Sequence, residues 1–375
     1  VEFRVISVLL PRVLKAVGLV TAMLAVSGAP AEALPVRKTH ATMVLDAIDT
    51  FLLPRLATLT EASGTLASAV EGVCKAGDDA SRKAARAAFA DTVRAWGALD
   101  FIRFGPSARA HRLERIFFWP DPRGFASRQL NALLAAQKPE IIAPGALASQ
   151  SVAVQGLTPL EILLFDEKMP LGSGTDEAAR YRCAMAGAMA ANIHAVAGEI
   201  QVGWIGEDGF RIKMLTPGSD NPLYKDASET VREVLKAFVA GIELGRDRFI
   251  LPELTAVTAT PPRRVRLAFE ASGLTGAYLK SSLVALKELY ETIGLDAYVP
   301  ADKPWMTSFL STSWNSLLAD VERLDGLRAD ERGSEAHLHA LRKMRFDLSG
   351  IRQIIVKELA PNADIVMGFN ELDGD

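Results

Sequence analysis

The chain has 375 residues, 49% of them hydrophobic, with 42 basic and 45 acidic side chains for a net charge of −3. Such a near-balanced surface argues against a nucleic-acid partner, which leaves a basic footprint on the proteins that bind it. The length allows a substantial core and is enough for two domains.

Residues 1–33 read as an export signal. Arg4, Arg12 and Lys15 form a positive flank, and Ala16 to Ala29 is an apolar run of 14 residues. Ala31-Glu32-Ala33 then sets small residues at the two positions a signal peptidase reads. The run is shorter than the roughly 20 residues a membrane span needs, so an uncleaved anchor is the weaker alternative. No cysteine lies near the cleavage point, which argues against a lipid anchor. Cleavage after Ala33 leaves 342 residues with 39 basic and 43 acidic side chains, no expected membrane span and a periplasmic destination. Cys74 and Cys183 both survive it. Two thiols in an oxidising compartment point to one disulfide, with two separately buried free thiols as the alternative.

Past the signal, apolar residues recur at helical spacing. Alanine-rich stretches at 80–98 and 178–197 have high helix propensity and let neighbouring helices approach closely. Leu279, Leu283, Leu286, Tyr290 and Ile293 form one apolar seam; Leu341, Met344, Leu348, Ile351 and Ile355 form another. No alternating β-branched run rises above this background, so the fold class is all-α. Loops fall at Gly105-Pro106, at Trp119–Gly124, at 169–175, at 216–222 and at Pro261-Pro262. Helical patterns joined by such loops predict two packed bundles. The first covers 34–225, including a bridging helix at 176–206, and the second covers 226–375. Phe51–Thr60 matches Phe249–Thr258 at five of ten positions, an echo that either an internal duplication or chance produces.

Three separated blocks carry a family resemblance. The first is Arg103-Phe104-Gly105-Pro106 followed by Arg115-Ile116-Phe117-Phe118-Trp119-Pro120-Asp121. The second is Gln155-Gly156-Leu157-Thr158-Pro159-Leu160-Glu161, and the third is the terminal Gly368-Phe369-Asn370-Glu371-Leu372-Asp373-Gly374-Asp375. Together they resemble the imelysin-like family across most of the chain. The resemblance implies two helical bundles in the cell envelope, with a site in the cleft between them. It also implies a disputed role, since members are labelled metallopeptidases while related domains occur in iron-uptake systems. The family's proposed metal motif is a glycine, a histidine two residues on and a glutamate three further. Gly156 and Glu161 fit it, but Thr158 stands at the histidine position.

On a helix, His and Glu at i and i+3 share one face and can share a cation. A threonine hydroxyl is a poor zinc ligand, which leaves Glu161 as the single metal-ligating candidate where zinc chemistry needs three protein groups. The bland alternative makes Thr158 a helix N-cap, ahead of Pro159, with Glu161 serving the macrodipole. Arg115, Trp119 and Asp121 are candidates for a second wall of the pocket, or else a structural corner with an internal Arg115–Asp121 ion pair. Asn370, Glu371, Asp373 and Asp375 could offer oxygen ligands to a hard cation, or form a solvated acidic tail. His111 and Glu114 lie in an arginine-rich stretch, and Glu335 and His339 follow Ser334, a helix start. There is no His-Glu-x-x-His run and no Gly-x-Ser-x-Gly.

These readings converge on a non-catalytic periplasmic binding protein, accessory to iron or other metal uptake, that takes a small ligand, a divalent metal or iron near Glu161. An imelysin-type metallopeptidase and a structural envelope partner are the alternatives.

Overall fold

The computed structural model describes residues 36–325 and 333–367, and every regular element among them is helical. The expected signal at 1–33 and the tail bearing Asn370 and Asp373 lie outside the described residues. In chain order the helices are α1 (His40–Asp46), α2 (Leu53–Ala76), α3 (Asp79–Gly97), α4 (Arg112–Ile116), α5 (Phe125–Ala136), α6 (Leu157–Leu164) and α7 (Glu177–Ile205). There follow α8 (Phe210–Leu215), α9 (Ala227–Gly245), α10 (Leu251–Thr258), α11 (Thr275–Ile293), α12 (Trp305–Asp325), α13 (Glu335–Ile354) and α14 (Ala360–Asn362).

Side-chain caps fix the longer helices where acidic and hydroxyl residues precede them. Asp78 accepts from the Ser81 N–H and Asp176 from the Ala179 N–H, each at 2.7 Å. Asp226 accepts from the Ser228 and Glu229 N–H groups, and Ser334 from that of His337. Each cap satisfies an N–H that has no partner inside its helix. α3 stops at Gly97, ahead of the Gly105-Pro106 break expected to end it.

Three helices pass through a proline by the same device. α1 joins α2 through a π turn at Ala47–Leu52, α9 joins α10 through Arg246–Ile250, and α13 joins α14 through Ile355–Leu359. The residue before each proline donates its N–H to the carbonyl five back: Leu53 to Ile48, Leu251 to Arg246, Ala360 to Ile355. Widening the turn relieves the clash between a proline ring and the preceding turn, so the helix continues. The first two turns are the segments that echo each other in sequence. The third shares little with them beyond its proline. The two echoing segments thus share a local backbone device at their prolines.

α2 lies along α3 and α7, with α6 against α7, α5 and α3. α9, α11, α12 and α13 form a second packed group, which meets the first where α11 lies on α3. α1, early in sequence, packs on α9 and α11, and all the described residues belong to one compact unit. The seam of α13 is fully buried: Leu341, Met344, Leu348, Ile351 and Ile355 are each 0% exposed. No helix among the described residues is long and apolar enough to cross a membrane.

A disulfide joins Cys74 in the last turn of α2 to Cys183 in α7, with the Cα atoms 5.6 Å apart and a sequence separation of 109. A loop of that length, closed in the unfolded chain, stabilises the fold by up to about 4–5 kcal/mol in the chain-entropy account. Replacing both cysteines by alanine should lower the thermal midpoint of unfolding, and reducing agent should do the same to the natural protein. Equal midpoints in all three samples would show that the bridge adds no stability.

Candidate functional site

The segment from Gln155 to Leu164 is buried apart from Ile162, and its placement starts from one glycine. Gly156 is the N-cap of α6, and the end of α4 runs directly against it. A Cβ on Gly156 would stand 2.6 Å from the Arg115 carbonyl oxygen and closer still to that of Ile116. Any side chain here would force two backbone segments apart. Thr158 sits in the first turn of α6, and its hydroxyl donates to the Phe118 carbonyl at 3.0 Å. It is thus not the N-cap expected from sequence. It ties the helix start to the chain leaving α4, while Pro159 occupies a first-turn position whose N–H would have no helical partner.

Glu161 is the fifth residue of α6, past the first turn, so service to the macrodipole does not explain it. Its side chain is buried, and Oε1 accepts both the Ser272 N–H at 2.9 Å and the Ser272 hydroxyl at 2.6 Å. Burial pushes the Glu161 carboxyl above the ordinary glutamate range; the Ser272 hydrogen bonds and the Arg266 charge pull it back, and Glu270 adds to the rise.

Ser272 comes from the loop between α10 and α11, and Phe269 sets that loop's position. Its backbone is left-handed, with φ +57°, a conformation that costs a non-glycine residue about 1–2 kcal/mol. Its ring stacks on Phe117 at 4.6 Å and lies 5.3 Å from Tyr278 and 6.2 Å from Phe89. Burying a phenylalanine contributes about 1.5–3 kcal/mol, enough to hold the strained turn. The Leu274 N–H to the Phe269 carbonyl, 2.9 Å, and the Thr275 hydroxyl to the Ala268 carbonyl, 2.6 Å, close the loop.

Between this loop and α6 lies a cavity of about 450 Å³, within the usual range for small-molecule sites. Thr158, Glu161, Phe117 and Trp119 line it from one side, and Arg264, Arg266, Leu267, Phe269, Glu270 and Ala271 from the other. Arg264 pairs with Glu270 at 2.7 Å, and the Arg266 guanidinium lies 6.0 Å from the Trp119 ring. A smaller cavity of about 180 Å³ shares Leu267 and Glu270 with the first. Its wall includes the buried His337, whose Nδ1 accepts the Gly333 N–H at 2.8 Å and whose Nε2 lies 3.4 Å from Glu253.

Of the residues singled out in sequence, Thr158, Glu161 and Trp119 meet at the cavity, and Gly156 lies behind them. Arg115 does not line it. Its guanidinium bonds Gln155 at 3.1 Å, Asn192 at 3.3 Å and Glu199 at 3.4 Å, which fastens α4 to α7. Asp121 turns away too: its two oxygens accept from the Phe125 and Ala126 N–H groups at 2.8 and 2.9 Å, capping α5 rather than pairing with Arg115. Arg264, Arg266, Glu270 and Ser272 were not anticipated. The one signal for them was the basic cluster Arg263-Arg264-Val265-Arg266 straight after Pro261-Pro262.

Residues 52–344 match the family model described as imelysin. The chain belongs to the imelysin family. Its fold is similar to that of an imelysin-like protein from Psychrobacter arcticum 273-4, with a TM-score of 0.67 at 18% identity, covering 88% of this chain and 97% of that one. It is also similar to a provisionally named iron-regulated protein A precursor from Parabacteroides distasonis ATCC 8503, with a TM-score of 0.57 at 13% identity, covering 86% and 96%. No curated protein matches the sequence.

The family motif implies a metal, but the side chains at this imelysin cavity do not fit one. Among the described residues, no three His, Cys, Asp or Glu side chains stand together as a metal cluster. Glu161 is held by Ser272, Glu270 by Arg264, and the Thr158 hydroxyl donates to a carbonyl. Of the two guanidinium groups that face the same space, Arg264 is paired with Glu270, and the charge of Arg266 opposes a cation.

Gly156→Ala should destabilise this imelysin-family protein by about 2–4 kcal/mol, through the collision with the Arg115–Ile116 carbonyls. Denaturant unfolding measures it, and a loss under about 0.5 kcal/mol would refute the steric account. Glu161→Gln tests the buried acid. A carboxyl whose folded pKa is raised contributes most when protonated at low pH, and that contribution fades as pH rises through the folded value. The thermal midpoint of Glu161→Gln relative to the natural protein should therefore climb over an interval that begins at the ordinary glutamate pKa of about 4.3 and extends upward. A difference that stays flat across that interval would contradict the raised value.

Proposed function

We propose that this imelysin-family protein is a non-catalytic periplasmic binding protein whose ligand sits in the cavity beside Glu161. The observation that carries this reading is a roomy cavity with a buried acid held from across the fold by Ser272. A hydrolytic zinc centre needs three protein ligands and an open position, and the residues around Glu161 do not supply them. The signal-like residues 1–33 support export to the cell envelope. Accessory service to iron or other metal uptake is the setting to test first, in keeping with the name of the Parabacteroides distasonis neighbour.

Thr158→His restores the family's imidazole three residues before Glu161, on the same face of α6. We expect it to raise Zn²⁺ affinity by at least about tenfold over the natural protein in calorimetric titration, with the gain cancelled by adding Glu161→Ala. The natural protein should leave casein intact with or without Zn²⁺. Casein hydrolysis that a chelator and Glu161→Ala both abolish would establish the metallopeptidase alternative instead. If Thr158→His gains no Zn²⁺ affinity, the account of a motif that lacks only its imidazole fails, and a structural envelope partner becomes the better reading.

A further inference from the structure

Arg266 is the cavity's uncommitted charge. Glu161 is satisfied by two donors from Ser272, and Arg264 and Glu270 neutralise each other at 2.7 Å. Arg266 makes no close hydrogen bond or ion pair with any described residue; its charge acts on Glu161 across the cavity, and its guanidinium lies 6.0 Å from the Trp119 ring, the outer limit of cation–π attraction. A guanidinium presents five donors in a planar fork that matches a carboxylate in bidentate fashion. Its backbone is anchored, because Leu267 next to it is only 4% exposed. The aromatic faces of Trp119 and Phe117 offer an apolar body a surface to rest on.

We propose that the cavity recognises a small organic carboxylate, with Arg266 as its anchoring residue. The proposal rests on the cavity being the binding site, and it goes further by naming the ligand's chemistry. It also reconciles a cationic wall with a metal-uptake setting. A metal carried as a carboxylate chelate arrives with its own donor atoms and presents an anion to the protein. The carboxylate therefore has two possible sources, the free acid and its metal chelate, which share the group that Arg266 would bind.

The test is calorimetric titration of the full exported chain with benzoate, citrate and ferric citrate, using benzamide as the uncharged control. We expect saturable binding of at least one carboxylate, none of benzamide, and a loss of about tenfold or more in Arg266→Gln. Arg266 is exposed, so that variant should fold with an unchanged thermal midpoint, which is measured alongside. Binding of ferric citrate with citrate silent would assign the chelate, and binding of benzoate or citrate alone the free acid. The proposal is overturned if none of the three binds, if benzamide binds as well as benzoate, or if Arg266→Gln leaves affinity unchanged. Zn²⁺ capture by Thr158→His separates the two levels. Where it persists while the carboxylates fail, the cavity stands and its anion preference falls; where both fail, the cavity itself is lost as a site.

Discussion

The site depends on the docking of one aromatic ring. Phe269 lies against Phe117, Phe89 and Tyr278, which belong respectively to the exit from α4, to α3 and to α11. Only by accepting a left-handed backbone does the chain place that ring inward and then bring Ser272 round to Glu161 three residues later. Ring burial and turn strain are comparable in size, so the loop holds by a modest margin that its hydrogen bonds reinforce. Local strain retained at a pocket wall, supported from outside it, is the arrangement expected of functional loops.

The three motif positions Gly156, Thr158 and Glu161 serve different ends. Gly156 answers a steric demand, the approach of the α4 carbonyls. Thr158 has exchanged a possible ligand for a structural hydrogen bond to Phe118. Glu161 alone keeps a polar role at the cavity, now held by a serine from another part of the chain. The loop opposite contributes two arginines to the cavity wall, one of them paired with Glu270.

Much of the architecture was legible in the sequence because it follows from periodicity and redox chemistry. The seams of α11 and α13, the start at Ser334 and the Cys74–Cys183 bridge all follow from spacing, capping and compartment. The site was legible only on its α6 side. Arg115 and Asp121 flank Trp119 in a way that looks like a pocket wall, yet each found a nearer structural partner in Glu199 and in the α5 N–H groups. The opposite wall was invisible, because no local pattern says that a loop more than a hundred residues later will fold over Glu161. That knowledge lies in Phe269, whose left-handed backbone no propensity predicts for an aromatic residue.

The anchors of the α10–α11 loop, Phe269 and Thr275, are set apart along the chain from Arg264 and Arg266, which line the cavity. Phe269 both holds the turn and forms part of the cavity wall, whereas the two arginines enter that wall from the segment before it. A change at Arg266 therefore alters the charge of the cavity wall without touching the aromatic contacts and hydrogen bonds that position Ser272. The electrostatic character of the cavity is thus set by a short segment that lies outside the aromatic cluster carrying the loop.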